Sequence, residues 1–366
     1  MRSDFRRRRA TRIIMARALA VTLATGAAAG GLATPAAQAA TAPPELANAH
    51  GLTVIAQPTW IEGSDRTFLF TVTTEEVPAY TVLPGQVSGE HVVMVTLPEG
   101  YDGTTEYPVH YTLHGVADYP NSAGLLDIVE EATADEPVIT VAPNGGGRGW
   151  YTNWVYPAGL GLQNWETFHL EQLIPFIDAN LATIADKEAR AISGHSMGGL
   201  GALGYAERRP DLFSYVGSFS GGLDLLNPEM RAAVTGSTQL PLAGTPTVLP
   251  DAIFGPPFWP LDGTWNRLSP AQHVESLRGM GVALYTGNGG DLTVEPIQAV
   301  MENRAREMAV VTSANLDAAG IPHVFVDYGD GSSWAPGCTA KHAQLPCLRA
   351  DMHHFIALIM AELEQP

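Results

Sequence analysis

An α/β fold, with a mostly parallel sheet and helices on both faces, is what this sequence predicts, on three observations. Short strand-like runs alternate with helical ones along most of the chain, the pattern of a parallel sheet covered on both sides. The strand-like run Ala189 to Ser193 leads into Gly194-His195-Ser196-Met197-Gly198 and then into a helix-forming stretch to Arg208. Strand, tight turn and helix therefore follow one another around a serine, the context in which G-x-S-x-G becomes a nucleophile elbow. The chain also has 366 residues, enough to bury one large α/β core.

Taken in order, the chain opens on a segment that reads as removable. Arg2, Arg6 to Arg9, Arg12 and Arg17 make a basic start, Ala18 to Ala33 is apolar and small, and Ala37-Gln38-Ala39 is an A-x-A cleavage site. Residues 1–39 are expected to be a secretory signal, not a membrane span, with the mature chain beginning near Ala40. The paired arginines are compatible with twin-arginine export, but the full motif is absent and Sec export is expected. No later stretch is long and apolar enough to span a bilayer.

Without residues 1–39 the chain carries 13 basic and 37 acidic side chains, a formal net charge of −24. Such a balance argues against nucleic acid or an anionic membrane as partner and suits a soluble exported protein. The two cysteines, Cys338 and Cys347, lie close together and are expected to pair. The sequence holds no recognisable metal-ligating cluster.

Residues 40–90 are an extension with one clear strand, Arg66 to Thr73, which alternates. Residues 91–366 are expected to form the main domain. Val92 to Leu97, Pro108 to Leu113 and Pro137 to Ala142 are its first strands. Trp165 to Asn180 places Phe168, Leu170, Leu173, Ile174 and Ile177 on one helical face. Tyr215 to Phe219, Val282 to Thr286 and His323 to Tyr328 are later strands, and the final helix spans about Ala350 to Glu362. Between about 221 and 269 the order fades into Pro, Gly and Thr, with Phe254, Phe258, Trp259 and Trp265 among them. Such an insert is either a lid or pocket wall or a surface loop pinned by its aromatics.

The serine reading has a physical basis. At a strained elbow the residues two before and two after the serine must be small, and glycine also tolerates unusual dihedrals. Ser196 Oγ then projects above the sheet, and the backbone N–H of Met197, at a helix N-terminus, faces a developing oxyanion. A serine nucleophile needs a base and a group that orients the base. In this architecture the chain order is serine, acid, histidine.

Several ordered segments resemble the secreted esterases of the esterase D type, which include feruloyl esterases and the mycolyltransferases. They are Tyr107-Pro108 with Leu113-His114-Gly115, the run Pro143 to Trp154, Trp165 to Phe168, the elbow, and Tyr285 to Gly289. The resemblance runs from about Val92 to the C-terminus. It implies an α/β-hydrolase fold, acyl-ester chemistry and no cofactor. By position it makes Ser196 the nucleophile and assigns the oxyanion hole to the N–H groups of Met197 and Val116. For the acid it favours Glu302, while Asp291 sits where ordinary α/β-hydrolases carry theirs. The histidine departs from the family pattern, because Gly331-Ser332-Ser333-Trp334 holds none. His342, between the cysteines, is the assigned base. His353 and His354 lie on the last helix, His323 starts a strand, and His114 and His195 are read as shaping turns.

The expected function is a serine esterase acting on a carboxylic ester as a secreted monomer. Aryl, polysaccharide-linked and polymeric esters all fit, and Trp150, Tyr151, Trp154, Phe258 and Trp259 suggest either an aromatic-lined pocket or plain core packing. Acyl transfer to a sugar hydroxyl is the alternative. A catalytically inactive binding protein is a third reading, supported by the histidine missing from the family position.

Overall fold

A computed structural model describes residues 42–78, 90–240 and 246–366. The expected signal, with its cleavage site, lies outside the described residues. Nine strands form one sheet: β1 (Thr53–Trp60), β2 (Thr67–Thr73), β3 (Glu90–Thr96), β4 (Val109–Leu113), β5 (Ile139–Pro143), β6 (Arg190–His195), β7 (Tyr215–Phe219), β8 (Gly281–Thr286) and β9 (Val324–Asp327). Their order is β1-β2-β3-β5-β4-β6-β7-β8-β9. From β5 to β9 every pairing is parallel, while β1, β2 and β3 join antiparallel at one edge. The fold is thus the α/β-hydrolase type, and the stretch before residue 91 extends the same sheet.

The helices are α1 (Ala123–Ala132), α2 (Trp165–Thr167), α3 (Ile174–Asn180), α4 (Met197–Arg208), α5 (Pro228–Ser237), α6 (Gly263–Arg267), α7 (Pro296–Ala318) and α8 (Leu345–Glu362). A π-helical turn, Phe168–Leu173, joins α2 to α3. The sheet residues divide between two buried clusters. Ile192, Val216, Val282 and Leu284 pack with Phe176, Leu203 and Met308 of α3, α4 and α7. The alternate positions Ala191, Tyr215, Ala283 and Tyr285 pack with Ile128 of α1 and Phe355 and Ile359 of α8. Period-two alternation in the strands therefore feeds a helical layer on each face, and β4, β5 and β7 are buried along their whole length.

One strand escapes sequence reading. β1 is mostly exposed and contains Pro58, which a sheet accepts only where an N–H is not needed, as at an edge. The insert is also more ordered than its composition suggests, since it contains α5 and α6. Phe254 and Trp265 pin it from within, buried and 4.9 Å apart between ring centroids.

Candidate active site

The elbow is built by steric exclusion. Ser196 stands between β6 and α4 at φ 55° and ψ −115°, a conformation that L-residues hold only under constraint. A Cβ on Gly194 would come within 2.3 Å of the Gly198 carbonyl oxygen, and one on Gly198 within 2.0 Å of the Leu113 carbonyl oxygen. Both positions therefore require glycine. The Ser196 N–H donates to the Phe219 carbonyl at 2.9 Å, tying the turn to the end of β7.

Three distant segments meet here. Ser196 Oγ lies 2.8 Å from His342 Nε2, and His342 Nδ1 lies 3.0 Å from Glu302 Oε2. Glu302 is fully buried on α7. Its other oxygen, Oε1, accepts from Ser220 Oγ at 2.7 Å, Thr286 Oγ1 at 3.2 Å and the Gly287 N–H at 2.8 Å. A buried carboxylate needs such donors to remain in place. Asp291 is occupied elsewhere. It is exposed, and its carboxylate closes a turn by accepting from Thr293 Oγ1 and the Thr293 N–H. Those bonds hold its pKa below the ordinary carboxylate value.

Of the groups that hold His342, the sequence offered the paired cysteines, which form the expected disulfide, and gave no signal for the others. The His342 N–H donates to the Gln298 carbonyl at 3.2 Å. The neighbouring Lys341 is buried, and its Nζ donates to the carbonyls of Gly289, at 2.7 Å, and Asp291. Cys338 and Cys347 form a disulfide, Cα to Cα 4.8 Å. Trp334, in the segment where the family pattern has its histidine, donates from Nε1 to Asp351 Oδ1 on α8 at 2.8 Å and stacks on Tyr328. The loop that carries His342 is therefore fixed at both ends and in its middle.

Burial raises the pKa of Asp351 well above the ordinary carboxylate value; the Trp334 hydrogen bond opposes this and Glu302 adds to it. An acid whose folded pKa is raised binds its proton more tightly when folded. Its contribution to stability is complete below the unfolded value, about 4, and is lost as pH rises through the folded one. Asp351→Asn, which keeps an acceptor for Trp334, is expected to lose less Tm between pH 5 and pH 8 than the wild type does. Equal losses in the two proteins would count against this account.

Of the other histidines named from the sequence, His353 is exposed and the rest contact other groups. His323 bonds Ser313 Oγ, and His354 bonds Tyr285 Oη. His114 Nε2 accepts from the Gly145 N–H at 2.8 Å. His195 lies against the His342 ring, 5.0 Å between centroids, and burial followed by that neighbour holds its pKa well below the ordinary imidazole value.

Two cavities adjoin Ser196 and His342. The larger, about 540 Å³, is walled by α5 and α7 and lined by Trp150, Met230, Ala233, Val300, Met301 and Met308 among others. Val116 and Met197, whose N–H groups are the expected oxyanion donors, border it. The smaller, about 380 Å³, lies between the loop after β4, α1 and the start of α8. A Cβ on Gly115 would lie 3.5 Å from Ser196 Cβ, so the loop bearing Val116 passes directly beside the serine.

The expected aromatic pocket needs correction. Of its five residues only Trp150 lines these cavities, its Nε1 donating to Ser237 Oγ at 3.2 Å. Tyr151 and Trp154 are buried in the core, where Tyr151 Oη donates to the His114 carbonyl and Trp154 Nε1 to the Gly149 carbonyl. Phe258 and Trp259 stand in solvent, Trp259 85 % exposed. The apolar side chains of α5 and α7 fill their place. Composition shows that aromatics are near in sequence, not which way the chain turns them.

Among known proteins, residues 86–344 match the family described as "Putative esterase". Esterase Rv1288 of Mycobacterium tuberculosis is 33 % identical over 251 residues, 67 % of this chain and 53 % of that protein. The chain thus spans about half the length of the curated relatives it matches first. Diacylglycerol acyltransferase/mycolyltransferase Ag85B of Mycobacterium avium is 32 % identical over 157 residues, 41 % of this chain and 44 % of that protein. In fold, the chain resembles an S-formylglutathione hydrolase of Agrobacterium tumefaciens, with a TM-score of 0.59 at 14 % identity over 85 % of this chain and 99 % of that one.

Proposed function

This chain belongs to the esterase family, and from that premise we propose that it is a secreted serine hydrolase of carboxylic esters working through an acyl-enzyme on Ser196. The observation that carries the reading is the hydrogen-bonded series Ser196 Oγ, His342 Nε2, His342 Nδ1, Glu302 Oε2, with steps of 2.8 and 3.0 Å. As Oγ bonds to the ester carbonyl carbon, His342 Nε2 takes its proton, and Glu302 stabilises the imidazolium at Nδ1. The N–H groups of Met197 and Val116 receive the charge that develops on the carbonyl oxygen. Collapse breaks the ester C–O bond, and His342 returns the proton to the departing alcohol. A water then gives its proton to His342 as it attacks the acyl-enzyme, and His342 returns that proton to Ser196 Oγ as the ester C–O bond to the serine breaks and the acid leaves. The basic, then apolar, then A-x-A start of the sequence and the disulfide support secretion.

Acyl transfer to a sugar hydroxyl is a second reading. The 380 Å³ cavity beside His342 favours it by offering room for an acceptor alcohol. A histidine 2.8 Å from the serine weighs against an inactive binding protein. The test is a fluorophosphonate probe, which labels only an activated serine, followed by a panel of p-nitrophenyl esters with and without a sugar acceptor. Labelling with release of free acid is the expected result, and acylated sugar as main product would move the assignment to transfer. A protein that neither labels nor turns over any ester would refute both.

A further inference from the structure

The mouth of the site is apolar well beyond the cavities themselves. Leu292 and Val294 in the loop after β8, Ile297, Val300 and Met301 of α7, and Leu345 at the start of α8 are all exposed, Ile297 by 70 %. Ile297, Val300 and Met301 stand at i, i+3 and i+4 and so share one helix face. That face is continuous with the site. Val300 and Met301 line the larger cavity, and Met301 and Leu345 line the smaller. Single exposed apolar residues are ordinary, but a cluster rimming an opening marks a contact surface.

Charge restricts what can sit there. Asp291 and Glu295 lie in the same exposed segment, and the whole chain has a formal net charge of −18. Arg304, beside the larger cavity, is ion-paired with Glu229 and Glu307. An anionic lipid surface is therefore repelled, not attracted. A second copy seated on this face would cover the openings of both cavities.

We propose that this rim docks the protein on a water-insoluble phase of uncharged esters, such as a neutral glyceride droplet, so that acyl groups enter the larger cavity directly from that phase. The proposal rests on the serine esterase reading and deepens it by naming the physical state of the substrate. Val294 and Ile297 line neither cavity, so replacing them alters the rim and leaves the site intact.

The test measures partition of the full chain onto a tricaprylin emulsion stabilised with phosphatidylcholine, by depletion from the aqueous phase. Wild type and Ser196→Ala are expected to adsorb equally. The double variant Val294→Ser/Ile297→Ser is expected to partition about tenfold more weakly, because two apolar side chains no longer leave water. Its turnover of dissolved p-nitrophenyl acetate should match wild type. Because adsorption is read without catalysis, failure of the serine mechanism and failure of docking give different results. Docking is overturned if wild type stays in the aqueous phase, or if the double variant adsorbs like wild type. It is also overturned by a preference for phosphatidylglycerol vesicles, or by a wild-type dimer that the double variant loses.

Discussion

Ser196→Ala is expected to fold like the wild type and to lose ester turnover by at least about 10⁴-fold. The fold should survive because the elbow is held by backbone and glycine packing, with Gly194 and Gly198 against each other and the Ser196 N–H on Phe219. Alanine retains all of these. What disappears is the oxygen 2.8 Å from His342 Nε2, and with it the proposed covalent route. The N–H groups of Met197 and Val116 would still polarise a bound carbonyl, so a residual rate above that in water is expected. Circular dichroism and thermal melting check the fold, and single-turnover kinetics check the loss. Turnover like that of the wild type would place the chemistry elsewhere and remove the basis of the proposed mechanism.

His342→Ala is expected to cost a similar factor, and the comparison with Cys338→Ser is the more informative part. The disulfide closes a ring of sequence separation 9 around His342, the proposed base. By the chain-entropy estimate such a ring contributes roughly 2–3 kcal/mol, a modest share of the stability of a domain this size. Its local effect is larger, because a misplaced base can cost about a hundredfold in rate. Cys338→Ser should therefore lower kcat much more than it lowers Tm. Lys341 sets a limit on that loss. Its bonds to the Gly289 and Asp291 carbonyls tie the same loop to the end of β8, so Cys338→Ser should retain far more activity than His342→Ala. If His342→Ala stays active, His353 and His354 must be tested as the base. If Cys338→Ser loses Tm and kcat in proportion, the bridge is a general staple and does not specifically position His342.

Much of this was legible along the chain because it is local. The alternation that divides Ala191 from Ile192 and Ala283 from Leu284 between the two faces is written residue by residue. The elbow, too, depends on clashes among neighbours within a few positions and on the strand and helix that flank it. Sequence therefore determined the sheet apart from β1, its two helical layers, the strained serine and its glycines. The order of the family motifs pointed further, to Glu302 and His342, but it left Asp291 as a second acid and gave no account of how a histidine outside the usual position reaches the serine.

Which of these side chains lie together is decided only in three dimensions. Ser196 and His342 are 146 positions apart, and His342 and Glu302 are 40 apart. Whether such groups meet depends on where packing sets β8, α7 and the disulfide loop, and no periodicity encodes that. Asp291 and Glu302 are both acids after β8, yet one closes an exposed turn while the other is buried among three donors facing the imidazole. The aromatics of the insert look alike in composition, yet Trp265 is core and Trp259 is in water. Local backbone preference acts over a few residues and is carried by the sequence of those residues. Convergence of side chains across a sheet is fixed by the whole core at once, so it becomes visible only when the chain has folded around it.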